Sequence, residues 1–259
     1  MGPGLRGRVA LVTGVSRRAG IGYAITRRLL AAGASVFVQS FSPHDADQPW
    51  GADPDGIDAV IETLDAPDRL GHLESDLADH GSPAALVDAA RRRFGTVDIL
   101  IANHARSSRQ SLEAVTAAEL DAAWAVNARA SVLLVQAFAA QHDDARPGGR
   151  VVLFTSGQHL GSMADELPYD VSKGAIHQMT RSLADHLAAR RITVNAVNPG
   201  PTDTGWATPE LDAHVARSMP LGRWGSPEDA ANLVGFLVSD EGAWITGQAI
   251  DSEGGFRRS

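Results

Sequence analysis

Cysteine is absent from this 259-residue chain, lysine occurs once, tyrosine twice, and aromatic residues make up only 5%. Without cysteine there is no disulfide framework, no thiolate nucleophile and no cysteine-ligated metal, which agrees with a reducing compartment. Positive charge is scarce as well: 31 acids face 23 lysines and arginines, for a formal charge of -8 and a pI near 5.5. Nucleic acid and anionic membrane both require a positive surface field, so neither is expected as a partner. No uninterrupted apolar run approaches the ~18 residues of a membrane span. Residues 1–6 carry neither a signal-peptide h-region nor a myristoylation serine or threonine. A cytoplasmic protein is expected. No Pro/Gly/Ser-rich linker divides the chain, so a single domain over 1–259 with a substantial core is expected too.

The one lysine, Lys173, follows Tyr169 by four residues in Pro168-Tyr169-Asp170-Val171-Ser172-Lys173, and the other 22 basic side chains are arginine. Arginine neither deprotonates nor serves as a compact donor, so the use of an ammonium at this place alone reads as a chemical requirement. At spacing i, i+4 the two side chains share a helix face. There the ammonium is expected to stabilise a phenolate and draw the phenol from its usual pKa of about 10 toward neutrality. A tyrosine so placed exchanges a proton near pH 7. The plain alternative is a surface tyrosine beside a solvated lysine, and the neighbouring motifs decide between them.

Short apolar, β-branched runs alternate with helical patterns along the chain, the mark of a parallel sheet covered by helices on both faces. Strands are predicted at 8–13, 35–39, 72–75, 97–102, 150–155, 192–197 and 248–250. Helices are predicted at 21–32, 57–64, 84–94, 117–141, 168–189 and 227–239, the last opened by the capped start Ser226-Pro227-Glu228-Asp229. Two stretches, 41–56 and 199–225, are irregular. Excursions of that length in a compact domain are more often binding loops or lids than slack.

Between the first strand and the first helix runs Thr13-Gly14-Val15-Ser16-Arg17-Arg18-Ala19-Gly20-Ile21-Gly22. Glycines in such a turn let the backbone approach a pyrophosphate, whose charge meets the amides of the helix N-terminus. No lysine follows the last glycine, so this is not an ATPase or GTPase loop. Folds that bind NAD place an acid about 20 residues further on, at the end of the second strand, to hold the ribose hydroxyls. Gln39-Ser40-Phe41-Ser42 stand there instead, and no acid precedes Asp45. With Arg17 and Arg18 in the loop, a 2′-phosphate would meet positive charge, which favours NADP and keeps NAD as an alternative. The competing view leaves both arginines in solvent.

Tyr-x-x-x-Lys, the glycine turn and their order resemble the short-chain dehydrogenase/reductase superfamily, and in particular its 3-ketoacyl-acyl-carrier-protein-reductase-like members. The likeness runs from Gly7 to Gly255. Asp76-Leu77 resembles the family's adenine-contacting pair, Asn103-His104-Ala105 its Asn-Asn-Ala-Gly, and Asn127 its helix asparagine. Ser156, thirteen residues before Tyr169, resembles its catalytic serine, and Asn198-Pro199-Gly200-Pro201-Thr202-Asp203-Thr204 its turn beside the nicotinamide. Two departures stand out. Gly14 and Gly20 are separated by five residues where the family has three, so the loop is expected to bulge at Arg17 and Arg18. His104 and Arg106 replace smaller residues.

The resemblance implies a Rossmann-like, doubly wound α/β fold with seven parallel strands, and hydride transfer between a nicotinamide and a carbonyl or secondary alcohol. It implies Tyr169 as general acid or base, and Lys173 as the group that lowers the phenol pKa and holds the ribose. Ser156 would orient the substrate oxygen, and Asn127 a water that links Lys173 to solvent. The implied cofactor bed is Gly14, Ser16, Arg17, Arg18, Gly20, Ile21, Gly22, Ser40, Asp76, Leu77 and Asn103, with Tyr169, Lys173, Pro199, Gly200, Thr202 and Thr204. Substrate contacts are expected from Ser156, Gln158, His159 and Trp206, with Met163, Leu211 and Met219 as apolar candidates. The substrate class stays open between a small ketone or alcohol, a polyol and a β-ketoacyl thioester. No metal is expected, because His104 and His159 lack a paired ligand spacing. An enoyl reductase of this fold would place lysine seven residues after the tyrosine, where this chain has Ile176. A nucleotide-binding regulatory protein without turnover is the alternative from another class. By analogy a homotetramer or homodimer is expected, assembled through 117–141 and 168–189.

Overall fold

The computed structural model describes residues 4–206, 215 and 217–257. Seven strands, β1 (Val9–Val12), β2 (Ser35–Ser40), β3 (Leu70–Glu74), β4 (Ile99–Ala102), β5 (Arg150–Phe154), β6 (Thr193–Asn198) and β7 (Ala249–Asp251), form one sheet in the order β3-β2-β1-β4-β5-β6-β7. Every pairing is parallel, with Ala10 beside Ile99 and Ile99 beside Arg150 across the centre. A parallel sheet covered on both faces needs strands that are apolar throughout, and every residue of β1, β4 and β5 is buried.

The α-helices used below are α1 (Ile21–Ala31), α2 (Ser42–Ala46), α3 (Gly56–Glu62), α4 (Ser82–Phe94), α5 (Ala117–Ala123), α6 (Ala130–Gln141), α7 (Leu167–Leu187) and α8 (Pro227–Leu237). Alternate strand residues serve the two faces. Ala10, Val12, Ile99, Ile101, Val152 and Phe154 pack with α1 and α8, while Leu11, Leu100, Val151 and Leu153 pack with α4, α6 and α7. Cutting one of these buried leucines or isoleucines back to alanine costs about 2–5 kcal/mol. The start of α8 is a complete capping box between Ser226 and Asp229 with Pro227 in the first turn. Arg223 grips Asp229 from outside and, as the main cause, holds its carboxyl well below the usual range.

The doubly wound fold therefore matches the sequence expectation, and three details differ. The excursion 41–56 is not all loop, since α2 forms at its start behind Pro43. The helix expected over 117–141 is continuous only through a π-helical turn, Trp124–Arg129, that joins α5 to α6. Ala117–Gln141 also has the length and apolarity of a membrane span, with mean hydropathy 1.2, which run lengths alone did not show. Half of that stretch is buried, against α4 and α7. Leu211 lies outside the described residues.

Candidate active site

The strand order reverses between β1 and β4, and in open α/β sheets the crevice at the carboxyl end of that switch point receives ligands. The glycine turn leaves β1 there. Gly14 has φ +74°, and an added Cβ would lie 2.9 Å from Asn103 Nδ2 and from His104 Cα; one on Gly22 would run into the Gly14 carbonyl oxygen. Only glycine lets the turn, the β4 loop and α1 come this close. α1 begins on Gly20 with no capping side chain and no acid in its first turn, so its positive end is left for an anion. These features fit a dinucleotide phosphate.

Asn103 Nδ2 donates to the Thr13 and Gly14 carbonyls at 3.1 and 3.2 Å. Gln39, passed over in the sequence, holds the turn from the other side, accepting from Gly14 N at 2.9 Å and donating to Ser75 O at 2.7 Å. Beside these groups opens a cavity of about 210 Å³. Its wall includes Gly14, Ser16, Asp76, Leu77 and Asn103 from the expected set. It also includes Phe41, His44, Asp45 and Trp50 from the 41–56 excursion. Asp76 closes a local turn on Ala78 N at 2.8 Å. Ser40 is fully buried and its hydroxyl pairs with His72 Nε2 at 2.8 Å.

The two extra loop residues also stand differently from expectation. Both were read as free positive charge, and both are ion-paired. Arg17 Nε lies 3.2 Å from Asp45 Oδ1, its Nη1 donates to Thr204 O at 3.1 Å, and it sits over the Trp50 ring at 5.7 Å. Arg18 forks onto Asp53, at 2.6 Å for the shorter arm, and also contacts Asp55. The Arg18 amide donates to the same Asp53 carboxylate at 3.0 Å. With Phe41 N on Ser16 Oγ at 3.1 Å and Ser107 N on His44 Nε2 at 3.3 Å, the excursion spans from the glycine loop to the loop after β4.

At the other end of the crevice, α7 carries Tyr169 and Lys173 on one face, with Nζ 5.6 Å from the phenol ring centre. Lys173 is 2% exposed and donates to Phe154 O, at the end of β5, at 2.8 Å; Thr155 Oγ1 returns a bond to Lys173 O at 3.0 Å. Burial pushes the Lys173 ammonium down to about 7. It also pushes the half-buried Tyr169 phenol up to about 12, with the Ser156 hydroxyl pulling partway back. This corrects the expected lowering of the tyrosine: desolvation dominates both groups, and the amine is turned to a carbonyl.

Asn127 is fully buried in the π-helical turn. It accepts from Arg106 N at 2.6 Å and donates to Arg106 O at 3.1 Å and Ser172 Oγ at 2.8 Å. It thus ties the β4 loop to the residue before Lys173. His104 is tied to the π-turn. A carbonyl can only accept, so His104 Nε2 donates to Val126 O at 2.9 Å, which leaves Nδ1 to accept from Thr13 Oγ1 at 2.7 Å. Burial drives this imidazole down to about 3, so it stays neutral. Arg106 is held by Glu119 through two bonds of 2.8 and 2.9 Å.

Of the expected substrate contacts, Ser156 stands beside the phenol. Gln158 is occupied, accepting from Ser156 N at 3.1 Å and donating to Thr155 Oγ1 at 3.1 Å. His159 stacks on His177 at 4.4 Å and pairs with Asp251 at 3.2 Å. Trp206 donates to Thr202 O at 2.9 Å and meets Trp224 edge-on at 5.3 Å, in a cluster with Met219. Thr202 closes the turn after β6 on the Pro199 and Gly200 carbonyls, 3.2 Å each. Among the described residues no group of three metal-ligating side chains gathers.

Comparison with known proteins gives a consistent picture. The family profile described as Enoyl-(Acyl carrier protein) reductase matches residues 14–257. The oxidoreductase YjdA of Bacillus subtilis is 40% identical over 252 residues, 97% of each chain. Among solved structures, the angucycline C-6 ketoreductase LanV with bound NADP is similar at a TM-score of 0.84 and 34% identity, over 98% of this chain and 96% of that one. A blue fluorescent protein from a metagenomic library, in complex with NADPH, reaches 0.86 at 32% identity, over 98% and 99%.

Proposed function

Because the chain belongs to the short-chain dehydrogenase/reductase superfamily, we propose that it is an NAD(P)-dependent oxidoreductase acting as a carbonyl reductase or secondary-alcohol dehydrogenase. One observation carries this reading: a half-buried phenol and the chain's only lysine, itself buried, share a helix face where β5 ends at the crevice. The bound nicotinamide supplies or accepts the hydride. Tyr169 then gives its proton to the nascent alkoxide in reduction, and its phenolate takes one in oxidation. A phenol near 12 is protonated at neutral pH and can serve as the acid in reduction.

Ser156 orients the substrate oxygen. Lys173, balanced near neutrality, holds the cofactor ribose beside Tyr169, and Asn127 fixes the helix segment that carries both. The cradle of Gly14, Ser16, Gly20, Ile21, Gly22, Asp76, Leu77 and Asn103 holds the cofactor, with the 199–204 turn at the nicotinamide end. NADP(H) is the preferred form in this reading. Its supports are the missing acid at the end of β2 and the NADP and NADPH bound in two similar structures. Residue 176 is a fully buried isoleucine, which favours carbonyl over enoyl reduction despite the description of the matching profile.

Homo-oligomerisation and a cytoplasmic location belong to the same reading. The first is supported by Leu120, Trp124, Val132 and Val171, apolar and exposed on α5, the π-turn, α6 and α7. The deciding experiment is a panel of ketones, β-ketoacyl thioesters, enoyl thioesters and secondary alcohols, followed at the NAD(P)H absorbance band with each cofactor. Ketone turnover, fastest with NADPH, is expected. Turnover of enoyl thioesters alone, or of nothing on the panel, would reject the assignment.

A further inference from the structure

We propose that the cleft between α1 and α8 is a second binding site, built for an apolar monocarboxylate. The cavity there holds about 510 Å³, within the roughly 300–1,000 Å³ of small-molecule sites. It shares no wall residue with the cavity beside the glycine turn, since along α1 it is lined from Ala24 to Ala32, past the turn that opens the helix. Binding here is independent of the redox assignment.

The floor is apolar, and the cations at it are unpaired. Leu5, Leu29, Leu30, Leu64 and Ala231 line the cleft with side chains that also belong to the core on that face of the sheet. Beside them lies Arg28. Its Nε is buried with no hydrogen-bond partner, and among the described residues no carboxylate or carbonyl accepts from its terminal nitrogens. A buried polar atom left without a partner is uncommon enough in a native fold to require a reason. The guanidinium is seated on Gly235, inside α8, where an added Cβ would lie 2.2 Å from Nε and 3.1 Å from Cζ. Glycine weakens a helix interior, and here its bare backbone is what admits the cation.

The other wall groups fix the charge of the ligand. Arg27 also lines the cleft without an ion-pair partner, and Glu228, from the first turn of α8, stands in the same wall without closing onto either arginine among the described residues. Two guanidiniums and one carboxylate leave a single positive charge. A monoanion neutralises it, whereas the second charge of a phosphate ester would be repelled by Glu228. A carboxylate also matches the planar fork of a guanidinium. Asn232, one turn before Gly235, adds an amide donor to the wall. Thr63 is spent, because its hydroxyl accepts from Tyr23 at 3.0 Å and donates to Val60 O at 2.8 Å, so it offers no polar contact of its own. An apolar body on the leucines with its carboxylate on Arg28 satisfies both surfaces.

The test is isothermal titration calorimetry with octanoate, octan-1-ol and octyl phosphate on the native chain, Arg28→Leu and Gly235→Ala. Octanoate is expected to bind the native chain about tenfold tighter than octan-1-ol, the order of one charge-assisted contact, and also tighter than octyl phosphate. Arg28→Leu is expected to bring octanoate down to the level of octan-1-ol. Gly235→Ala favours the helix and pushes the guanidinium off its seat, so it is expected to weaken octanoate severalfold with octan-1-ol little changed, and it decides the case if Arg28→Leu does not fold. No octanoate binding by the native chain, equal affinity for octan-1-ol, or an affinity untouched by both substitutions overturns the proposal, the last by placing the acid elsewhere on the molecule. Tighter binding of octyl phosphate overturns the monoanionic class.

Discussion

The two ends of the crevice are built by different physics. At the Tyr169 end the chemistry sits on regular elements, β5 and α7, and almost every polar group is buried, neutral or turned to a carbonyl: Lys173 on Phe154, Asn127 on Arg106 and Ser172, His104 on Val126. At the Asp45 end the walls come from an excursion tied down by partly exposed ion pairs, Arg17 to Asp45 and Arg18 to Asp53 and Asp55. Desolvated groups respond to pH and are little screened, whereas surface pairs respond to salt. Geometry that must be held for proton transfer is placed where packing over-determines it.

The largest expected effect is at the proton donor. Tyr169→Phe lowers kcat by about 10²–10⁴-fold with cofactor affinity nearly unchanged, since it removes a proton and leaves the cradle alone. Steady-state rates and a cofactor titration check this, and an undiminished kcat removes Tyr169 from the mechanism.

Next come the two buried bases as pH probes. Lys173 has a folded value near 7 against an ordinary 10.5, so burial penalises its cation fully below pH 7. That penalty fades as pH rises from 7 toward 10.5, because the unfolded chain there binds more protons than the folded one. The stability of the native chain relative to Lys173→Met is thus expected to rise across that window in denaturant melts; a flat difference contradicts the buried cation. His104, near 3 against 6.5, works at the acid side. Stability is lost as pH falls from 6.5 toward 3, and His104→Asn flattens that loss while weakening the π-turn. Equal acid sensitivity of the two proteins counts against it.

The smallest effect belongs to the charged strap. Arg18→Ala is expected to lower global stability only slightly, since the Arg18 side chain is partly exposed. It is expected to speed proteolysis of the 41–56 segment, and 0.5 M salt is expected to act on the native chain in the same direction. Salt-independent cleavage would erase the contrast between the two ends.

Much of the Tyr169 end was legible because helix and strand periods are local. Spacing i, i+4 placed Tyr169 and Lys173 on one face, and the glycine pattern of 14, 20 and 22 marked a turn that tolerates no side chain. What could not be read was which polar groups were already engaged. Ser40 and Gln158 looked available and are bound to His72 and to Ser156 and Thr155. His44 and Trp50 gave no local signal, and the bonds of Gln39 to Gly14 and Ser75 join residues distant in sequence.

From its residues alone, this chain determined the alternation of strands and helices, the phosphate turn and the pairing of its one lysine with a tyrosine, because each follows from steric periods along the backbone. Tertiary packing decided the protonation of Tyr169, Lys173 and His104, the π-turn at Val126, and the pairing of both loop arginines. Those depend on desolvation and on partners distant in sequence, which come into existence only when the sheet brings the ends of β1, β4 and β5 together.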